Sequence, residues 1–269
     1  MLDQPQLEKF QRDGFTLGWP LLTEAEVDEL RAEMDRITSE EPGSGPQPVS
    51  IQNLAGDAAA PVWQIVNIWQ ASDAFRRLAF HPDLIDAAAT LIQAKQLRIW
   101  HDQIQYKPAG TGGVNPWHQD SPLWPVLEPK DAQITAWVAL DDVDEENGCM
   151  SMVPGSHQWG NHMDELREIR TFDATPTSFH GHDVKRSLCP VESGCVHFHH
   201  ALTWHGSHGN RSGRPRRAIA IHYMNERTRY TAAGNHLMKP YIEVADGQPL
   251  EGDAFPLVYN AGEPARQPA

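Results

Sequence analysis

The sequence has few cysteines, no long apolar run and a shortage of basic residues. Its three cysteines, Cys149, Cys189 and Cys195, are odd in number and lack the spacing of a metal site. No segment approaches the ~18 consecutive apolar residues of a membrane span. The first residues, Met1-Leu2-Asp3-Gln4, do not form a basic and apolar leader. These absences predict a cytoplasmic protein with no membrane partner.

Positive charge is scarce, with 22 basic residues against 36 acidic ones and a formal net charge of −14. Such a field repels nucleic acid and anionic lipid. We therefore expect a small-molecule substrate and no nucleic-acid partner. Four arginines nevertheless lie between positions 211 and 217, and 13 of the 14 histidines lie at or after position 101. The second half of the chain is expected to carry the chemistry.

The hydrophobic pattern changes its period near residue 96. Before it, residues 4–41 and 72–94 repeat apolar residues at helical spacing, with Thr23 and Glu26 as a capping box. After it, residues 97–107, 133–140, 194–200 and 217–224 have the pattern of strands. This order predicts one α+β domain over residues 1–269, with a mainly helical part (1–95) and a β-sandwich or barrel core (96–230). Residues 231–269 are expected to wrap the surface or form a lid.

The sharpest local signal is the run Trp117-His118-Gln119-Asp120. On an extended segment residues i and i+2 point the same way, so His118 and Asp120 can bind one metal ion together. His205 is the best candidate for a third ligand, in competition with His197, His199, His200 and His208. Two histidines and one carboxylate leave three positions open, the arrangement of non-haem Fe(II) oxygenases. Zinc would accept the same ligands.

Arg216 supports this interpretation, because it lies eleven residues after His205 at the start of a predicted strand. The Gly- and Ser-rich stretch between them can turn the chain and return Arg216 to the metal's side. A guanidinium there could clamp a carboxylate with two parallel hydrogen bonds. A dicarboxylate could then chelate the metal at one end and meet Arg216 at the other.

Four stretches of the chain resemble the phytanoyl-CoA dioxygenase family of Fe(II)- and 2-oxoglutarate-dependent oxygenases. The first runs from His101-Asp102-Gln103 to Lys107-Pro108, and the second, from Asn115, contains WHQDSPLWP. The third, from Thr135, reads TAWVALDDVDEENGCMSMVPGSHQWG, and the fourth, from Thr203, reads TWHGSHGNRSGRPRRAIAIHY. Including the segment around Phe10, the resemblance covers roughly residues 7–260.

The resemblance implies a double-stranded β-helix core (jelly roll, cupin-like) with N-terminal helices packed on it. It implies that His118, Asp120 and His205 bind the iron and that Arg216 binds the distal carboxylate of 2-oxoglutarate. Further contacts to this cosubstrate are implied for Gln103, Trp137 and Ser207. The implied reaction uses O2 to hydroxylate an unactivated C–H bond, with release of succinate and CO2. Halogenating relatives lack the carboxylate ligand, so Asp120 favours hydroxylation or another oxidation over halogenation.

Two other classes of protein fit part of this pattern. A zinc-dependent hydrolase or isomerase on a cupin-like barrel would not need Arg216. A non-catalytic binding protein would need neither the metal nor the arginine. Five tryptophans could line a substrate cavity or equally pack in the core: Trp63, Trp69, Trp100, Trp117 and Trp124. A monomer and a homodimer are both compatible with the sequence.

Overall fold

A computed structural model of the protein describes residues 2–39 and 45–263. The helices are α1 (Gln4–Asp13), α2 (Glu24–Ser39), α3 (Asp73–Ala79), α4 (Pro82–Leu91) and α5 (Met163–Arg167). The strands are β1 (Phe15–Pro20), β2 (Ser50–Asn53), β3 (Trp63–Val66), β4 (Gln96–Lys107), β5 (Asn115–His118), β6 (Leu127–Glu128), β7 (Gln133–Ala139), β8 (Met150–Met152), β9 (Ser178–Phe179), β10 (His182–Asp183), β11 (Ser187–Cys189), β12 (Cys195–His200), β13 (His205–Ser207), β14 (Arg216–Asn225), β15 (Arg229–Tyr230) and β16 (Leu257–Asn260).

Two antiparallel sheets dominate the described residues. The larger has eight strands in the order β1-β12-β7-β14-β4-β3-β2, and β16 pairs with β4 beside this path. The smaller has four strands in the order β11-β8-β13-β5. The protein is therefore mainly β with few helices, which agrees with the predicted class.

The larger sheet lies between helices α1 to α4 and the smaller sheet, whereas α5 contacts β5 of the smaller sheet. Successive residues of a strand point to opposite faces, and on β14 these faces enter different clusters. Ile219 packs in one cluster with Leu30 of α2 and Phe75 of α3. Ala220, the next residue, packs in the other cluster with Met150 of β8. Full burial of a large apolar side chain contributes about 1.5–3 kcal/mol, so the helices are part of the main core.

Most of the predicted elements are present. The strands predicted after residue 96 are β4, β7, β12 and β14, and the helical region predicted over 72–94 is α3 and α4. The capping box is formed, because the backbone N–H of Thr23 donates to Glu26 Oε2 at 2.8 Å and that of Glu26 donates to Thr23 Oγ1 at 3.3 Å.

The prediction of helix throughout residues 4–41 is wrong at Phe15–Pro20, which forms β1 and pairs with β12. Gly14 ends α1 with a φ of +84°, in the left-handed region that glycine adopts without steric cost. The chain therefore leaves the helix and enters the sheet at once. Residues 40 and 41 of the predicted helix lie outside the described residues.

The C-terminal segment folds back onto the larger sheet. Leu250 and Phe255 are buried in one cluster with Trp100 of β4, and β16 pairs with that strand. Within residues 2–39 and 45–263, no helix has the length and apolar character needed to cross a membrane.

Candidate metal centre and adjoining cavities

The three predicted ligands lie at the ends of neighbouring strands of the smaller sheet. His118 ends β5 and pairs directly with His205, which begins β13, and Asp120 follows β5 by two residues. Asp120 Oδ1 lies 3.7 Å from His118 Nε2 and 3.5 Å from His205 Nε2. All three donor atoms lie within 4.8 Å of one another. Metal–ligand bonds of about 2.1 Å suit this spacing, so the donor set fits one metal ion.

The ring nitrogens that face Asp120 are free to act as ligands. His118 Nδ1 donates to the carbonyl of Pro116 at 2.7 Å, and His205 Nδ1 donates to that of Thr203 at 2.9 Å. A proton on Nδ1 leaves the lone pair on Nε2. Burial lowers the pKa of His118 to about 3, so its ring is neutral. Burial opposes protonation of His205 too, but Asp120 raises its pKa, and a metal cation would replace that proton.

Asp120 is held through the carboxylate oxygen that faces away from these two histidines. Oδ2 accepts a hydrogen bond from Thr135 Oγ1 at 2.8 Å and another from His199 Nε2 at 3.0 Å. Thr135 Oγ1 in turn lies 2.8 Å from His222 Nδ1, which can donate to it. Burial opposes ionisation of Asp120, but His205 and the hydrogen bond from His199 hold its pKa well below its ordinary value. The carboxylate is ionised and presents Oδ1 to a cation.

Arg216 is a buried cation without a matching carboxylate. It begins β14, and its side chain is 1% exposed. Its Nε and Nη1 atoms have no hydrogen-bond partner among the described residues. Its Cζ lies 4.9 Å from the centre of the Trp137 ring, a cation–π contact. Burial lowers its pKa to about 10, which still leaves the guanidinium charged. Because an unpaired buried charge is costly, this geometry suits an anionic ligand.

The other predicted contact residues lie beside Arg216. Ala220 of β14 pairs with both Gln103 of β4 and Trp137 of β7, so these side chains form a row across the sheet. Ala220 is small and leaves space between them. Ser207 Oγ accepts a hydrogen bond from Lys107 Nζ at 2.7 Å and donates to Asn115 Oδ1 at 3.2 Å.

One narrow cavity brings all seven predicted site residues together. Its lining contains His118, Asp120, His205, Arg216, Gln103, Trp137 and Ser207. A larger cavity of about 740 Å³ adjoins it, because His118, Asp120, Gln103, Gln105 and Asn115 line both. Arg216 lines only the narrow cavity. The metal centre thus lies between a narrow space that contains the arginine and a wider one.

Two of the five tryptophans line the larger cavity, and three do not. Trp117 and Trp124 lie in its wall. Trp69 and Trp100 are buried in apolar clusters, and Trp63 is 39% exposed outside the cavity.

The histidines that competed with His205 have other surroundings. His199 contacts Asp120 from the far side, and His197 stacks on Phe15. His200 accepts a hydrogen bond from the backbone of Leu202, and His208 Nε2 lies 3.4 Å from Asp173 Oδ1.

Sequence reasoning missed the support that Thr135 and His199 give to Asp120. Thr135 lies 15 residues and His199 lies 79 residues from Asp120 in the sequence, and the two are brought side by side by the pairing of β7 and β12. Alternate residues of a strand point to the same face, so a strand that places Trp137 on the site face also places Thr135 there. This alternation could have predicted that Thr135 lies in the site.

Two facing antiparallel sheets, with a His-Asp-His cluster beside a buried arginine, define a protein built for a metal ion and an anionic ligand. The family model of phytanoyl-CoA dioxygenase (PhyH) matches residues 10–218. The chain belongs to this family, and the resemblance predicted from its motifs is confirmed.

Similar proteins cover most of the chain. The peroxisomal phytanoyl-CoA dioxygenase of Rattus norvegicus is 25% identical over 271 residues, 91% of this chain and 76% of the relative. The ectoine dioxygenase of Bordetella parapertussis is 26% identical, covering 82% of this chain and 75% of that protein. Among solved structures, SnoK, a non-haem α-ketoglutarate-dependent carbocyclase from nogalamycin biosynthesis, is 28% identical with a TM-score of 0.80. That match covers 96% of this chain and 97% of SnoK.

A second solved structure from the same biosynthesis is similar. SnoN, a non-haem α-ketoglutarate-dependent epimerase, is 27% identical with a TM-score of 0.75, over 94% of this chain and 97% of SnoN.

Proposed function

We propose that the protein oxidises an unactivated C–H bond of a small molecule, with O2 and 2-oxoglutarate as cosubstrates and with release of succinate and CO2. Its class, a 2-oxoglutarate-dependent non-haem iron dioxygenase, follows from its family and its relatives. The observation that carries the proposal is the buried, unpartnered guanidinium of Arg216 in the cavity that also contains His118, Asp120 and His205.

We assign His118, Asp120 and His205 as the iron ligands. The neutral imidazole of His118 and the ionised carboxylate of Asp120 suit a ferrous ion, and at His205 the cation would take the place of the proton that Asp120 favours. Arg216 is assigned to the distal carboxylate of 2-oxoglutarate, to which its free guanidinium N–H groups can donate charge-assisted hydrogen bonds. Gln103, Trp137 and Ser207 are assigned as further contacts in the same cavity.

The residues of the site have different roles in the proposed reaction. When bound, Fe(II) and 2-oxoglutarate would supply the oxidising power for the reaction. Thr135 and His199 fix the Asp120 carboxylate, so its Oδ1 keeps one direction throughout. Arg216, supported by the Trp137 ring, orients the cosubstrate along the narrow cavity. The larger cavity holds the substrate beside His118 and Asp120 and limits the access of water.

We assign the two facing sheets to a double-stranded β-helix (jelly roll). The antiparallel pairing throughout and the layer of helices on the outer face of the larger sheet support this assignment. Hydroxylation or another oxidation is favoured over halogenation, because Asp120 occupies the position that a halide would need.

An anaerobic titration tests the proposal. Fe(II) and then 2-oxoglutarate are added to metal-free protein, and we expect the weak visible charge-transfer band of the iron–2-oxoglutarate chelate. Asp120→Ala should abolish the band, whereas Asp86→Ala, at an exposed carboxylate on α4, should leave it unchanged. Absence of the band with tightly held zinc would instead support the hydrolase or isomerase class. Absence of any metal binding would support a binding protein.

A further inference from the structure

The mouth of the larger cavity is surrounded by exposed apolar side chains. Nine large apolar side chains are exposed in residues 2–39 and 45–263, and four of these line this cavity. They are Leu54 (45% exposed), Val114 (43%), Leu123 (41%) and Leu237 (36%). They come from four separate segments of the chain, so local sequence does not explain their meeting. Exposed apolar side chains gathered at one opening are typical of a binding site.

The wall behind this mouth is also apolar. Met163, Leu166 and Ile169, on and after α5, face it together with Trp117 and Trp124. The volume of about 740 Å³ lies in the range of cavities that enclose a drug-sized molecule. The space suits a bulky ligand with a mostly apolar surface.

The part of the cavity nearest the metal centre is polar but uncharged. Gln64, Gln103, Gln105 and Asn115 line it, and Gln64 Nε2 donates to Gln103 Oε1 at 2.5 Å. His101 and His236 also line the cavity, and their rings stack with centroids 5.6 Å apart. Burial lowers the pKa of His101 well below its ordinary value and that of His236 to about 4, so both rings are neutral. Amides and neutral imidazoles can bind hydroxyl and carbonyl groups but cannot neutralise a charge.

The charges on the lining are already matched. Apart from Asp120, the charged side chains that line the described cavity are Arg167 and Arg170. Arg167 Nη1 lies 3.0 Å from Asp164 Oδ1, and Arg170 Nη2 lies 2.7 Å from Glu168 Oε2. Each arginine is therefore paired within its own segment. Both arginines are largely exposed (59% and 77%), so neither supplies a buried counter-charge to a phosphate group or a zwitterion inside the cavity.

We propose that the substrate is a bulky, uncharged and largely apolar molecule that carries hydroxyl or carbonyl groups on the side facing the metal. This inference rests on the proposed function, because it identifies the larger cavity as the substrate site. The apolar end of the molecule lies against Leu123 and Leu237. Its oxygen-bearing side meets the amide groups, and the C–H bond to be oxidised lies beside His118 and Asp120.

A fluorescent probe tests the inference without knowledge of the natural substrate. Nile red is neutral, planar and apolar with a carbonyl oxygen, and its emission rises on leaving water. It is titrated anaerobically into protein loaded with Fe(II) and 2-oxoglutarate, and we expect saturable binding. Leu123→Asp and Leu237→Asp should each weaken this binding about tenfold, since each removes a sizeable apolar contact. Leu188→Asp is the matched control: Leu188 is 47% exposed but outside the cavity, so its variant should bind the dye like the parent protein.

Competition with two charged compounds tests whether a phosphate-bearing or a zwitterionic substrate binds in the cavity instead. Hexanoyl-coenzyme A and ectoine, the anionic and zwitterionic probes, should not displace Nile red at a tenfold excess over it. Displacement by either would overturn the inference, and so would equal dye binding by the parent and both cavity variants. The chelate band is recorded on the same samples before the dye is added. Loss of that band with normal dye binding would refute the proposed function, whereas a normal band with dye binding insensitive to Leu123 and Leu237 would refute the substrate class alone.

Discussion

At the scale of single residues, Arg216 is the most direct test of cosubstrate binding. A hydrogen bond to a charged group contributes about 1.5–3 kcal/mol, so Arg216→Ala should raise the Kd for 2-oxoglutarate about 10- to 150-fold. The affinity for Fe(II) should stay the same. Titration of the chelate band with 2-oxoglutarate measures both quantities.

Arg217 provides the control for this substitution. It is the next residue on β14, but its Nε and Nη2 bind Asp141 at 3.0 and 2.8 Å, and it lies outside the narrow cavity. Arg217→Ala should therefore leave the Kd for 2-oxoglutarate unchanged. Equal affinities in the parent protein and Arg216→Ala would contradict the assignment of Arg216.

Substitution of Thr135 tests whether the affinity for the metal depends on the hydrogen bonds that hold Asp120. Thr135→Val keeps the branched shape but removes the hydroxyl that donates to Asp120 Oδ2. Loss of such a partner to a metal ligand typically costs 10- to 100-fold in metal affinity, and we expect a loss in that range for Fe(II). Anaerobic competition with a chelator measures it. Thr90→Val, which removes an exposed hydroxyl on α4 that donates to the Asp86 carbonyl, should have no effect. Unchanged iron affinity in Thr135→Val would show that His199 alone suffices.

At the scale of elements, one face of β14 packs in the core cluster with the helices, and the other face lines the site. Ala220→Leu should block the narrow cavity between Gln103 and Trp137, and therefore weaken 2-oxoglutarate binding while iron still binds. Overpacking costs typically about 1–3 kcal/mol of stability. Ala218→Leu is the matched control, because Ala218 is buried on the same face but does not line that cavity. Similar stability losses with a weaker 2-oxoglutarate affinity only in Ala220→Leu would support the assigned location. Normal affinity in both would contradict it.

The long strands could be predicted because each is a segment rich in apolar, β-branched or aromatic residues between clusters of turn-forming residues. β1 could not, since its six residues follow a helix closely and lie at an edge, where the partner β12 is about 180 residues away in the sequence. The pair His118 and Asp120 could be predicted because both lie on one short segment. The contacts of Thr135, His199 and Lys107 depend on the pairing of distant strands, which local periodicity does not specify.

At the scale of the whole molecule, the proposed ligands should stabilise the fold, because they bind the native state. A ligand at a free concentration of 100 times its Kd adds about 2.7 kcal/mol. For a chain of this length, that corresponds to a rise in Tm of roughly 5 °C. Anaerobic differential scanning calorimetry with Fe(II), and then with Fe(II) and 2-oxoglutarate, measures the two increments.

Arg216→Ala separates these two increments. It should keep the rise caused by iron and lose most of the rise caused by 2-oxoglutarate at the same concentration. A full second increment in this variant would mean that the dicarboxylate binds elsewhere.

His118 and His205 belong to the smaller sheet, whereas Arg216 and Trp137 belong to the larger one. The hydrogen bond from Thr135 to Asp120 links the two sheets at this point. A dicarboxylate bound to both the metal and Arg216 would connect the two sheets for as long as it stays bound. The two sheets would then move relative to each other less when the dicarboxylate is bound than when it is not. Amide hydrogen exchange in β5 and β13 would thus report whether the cosubstrate is in place.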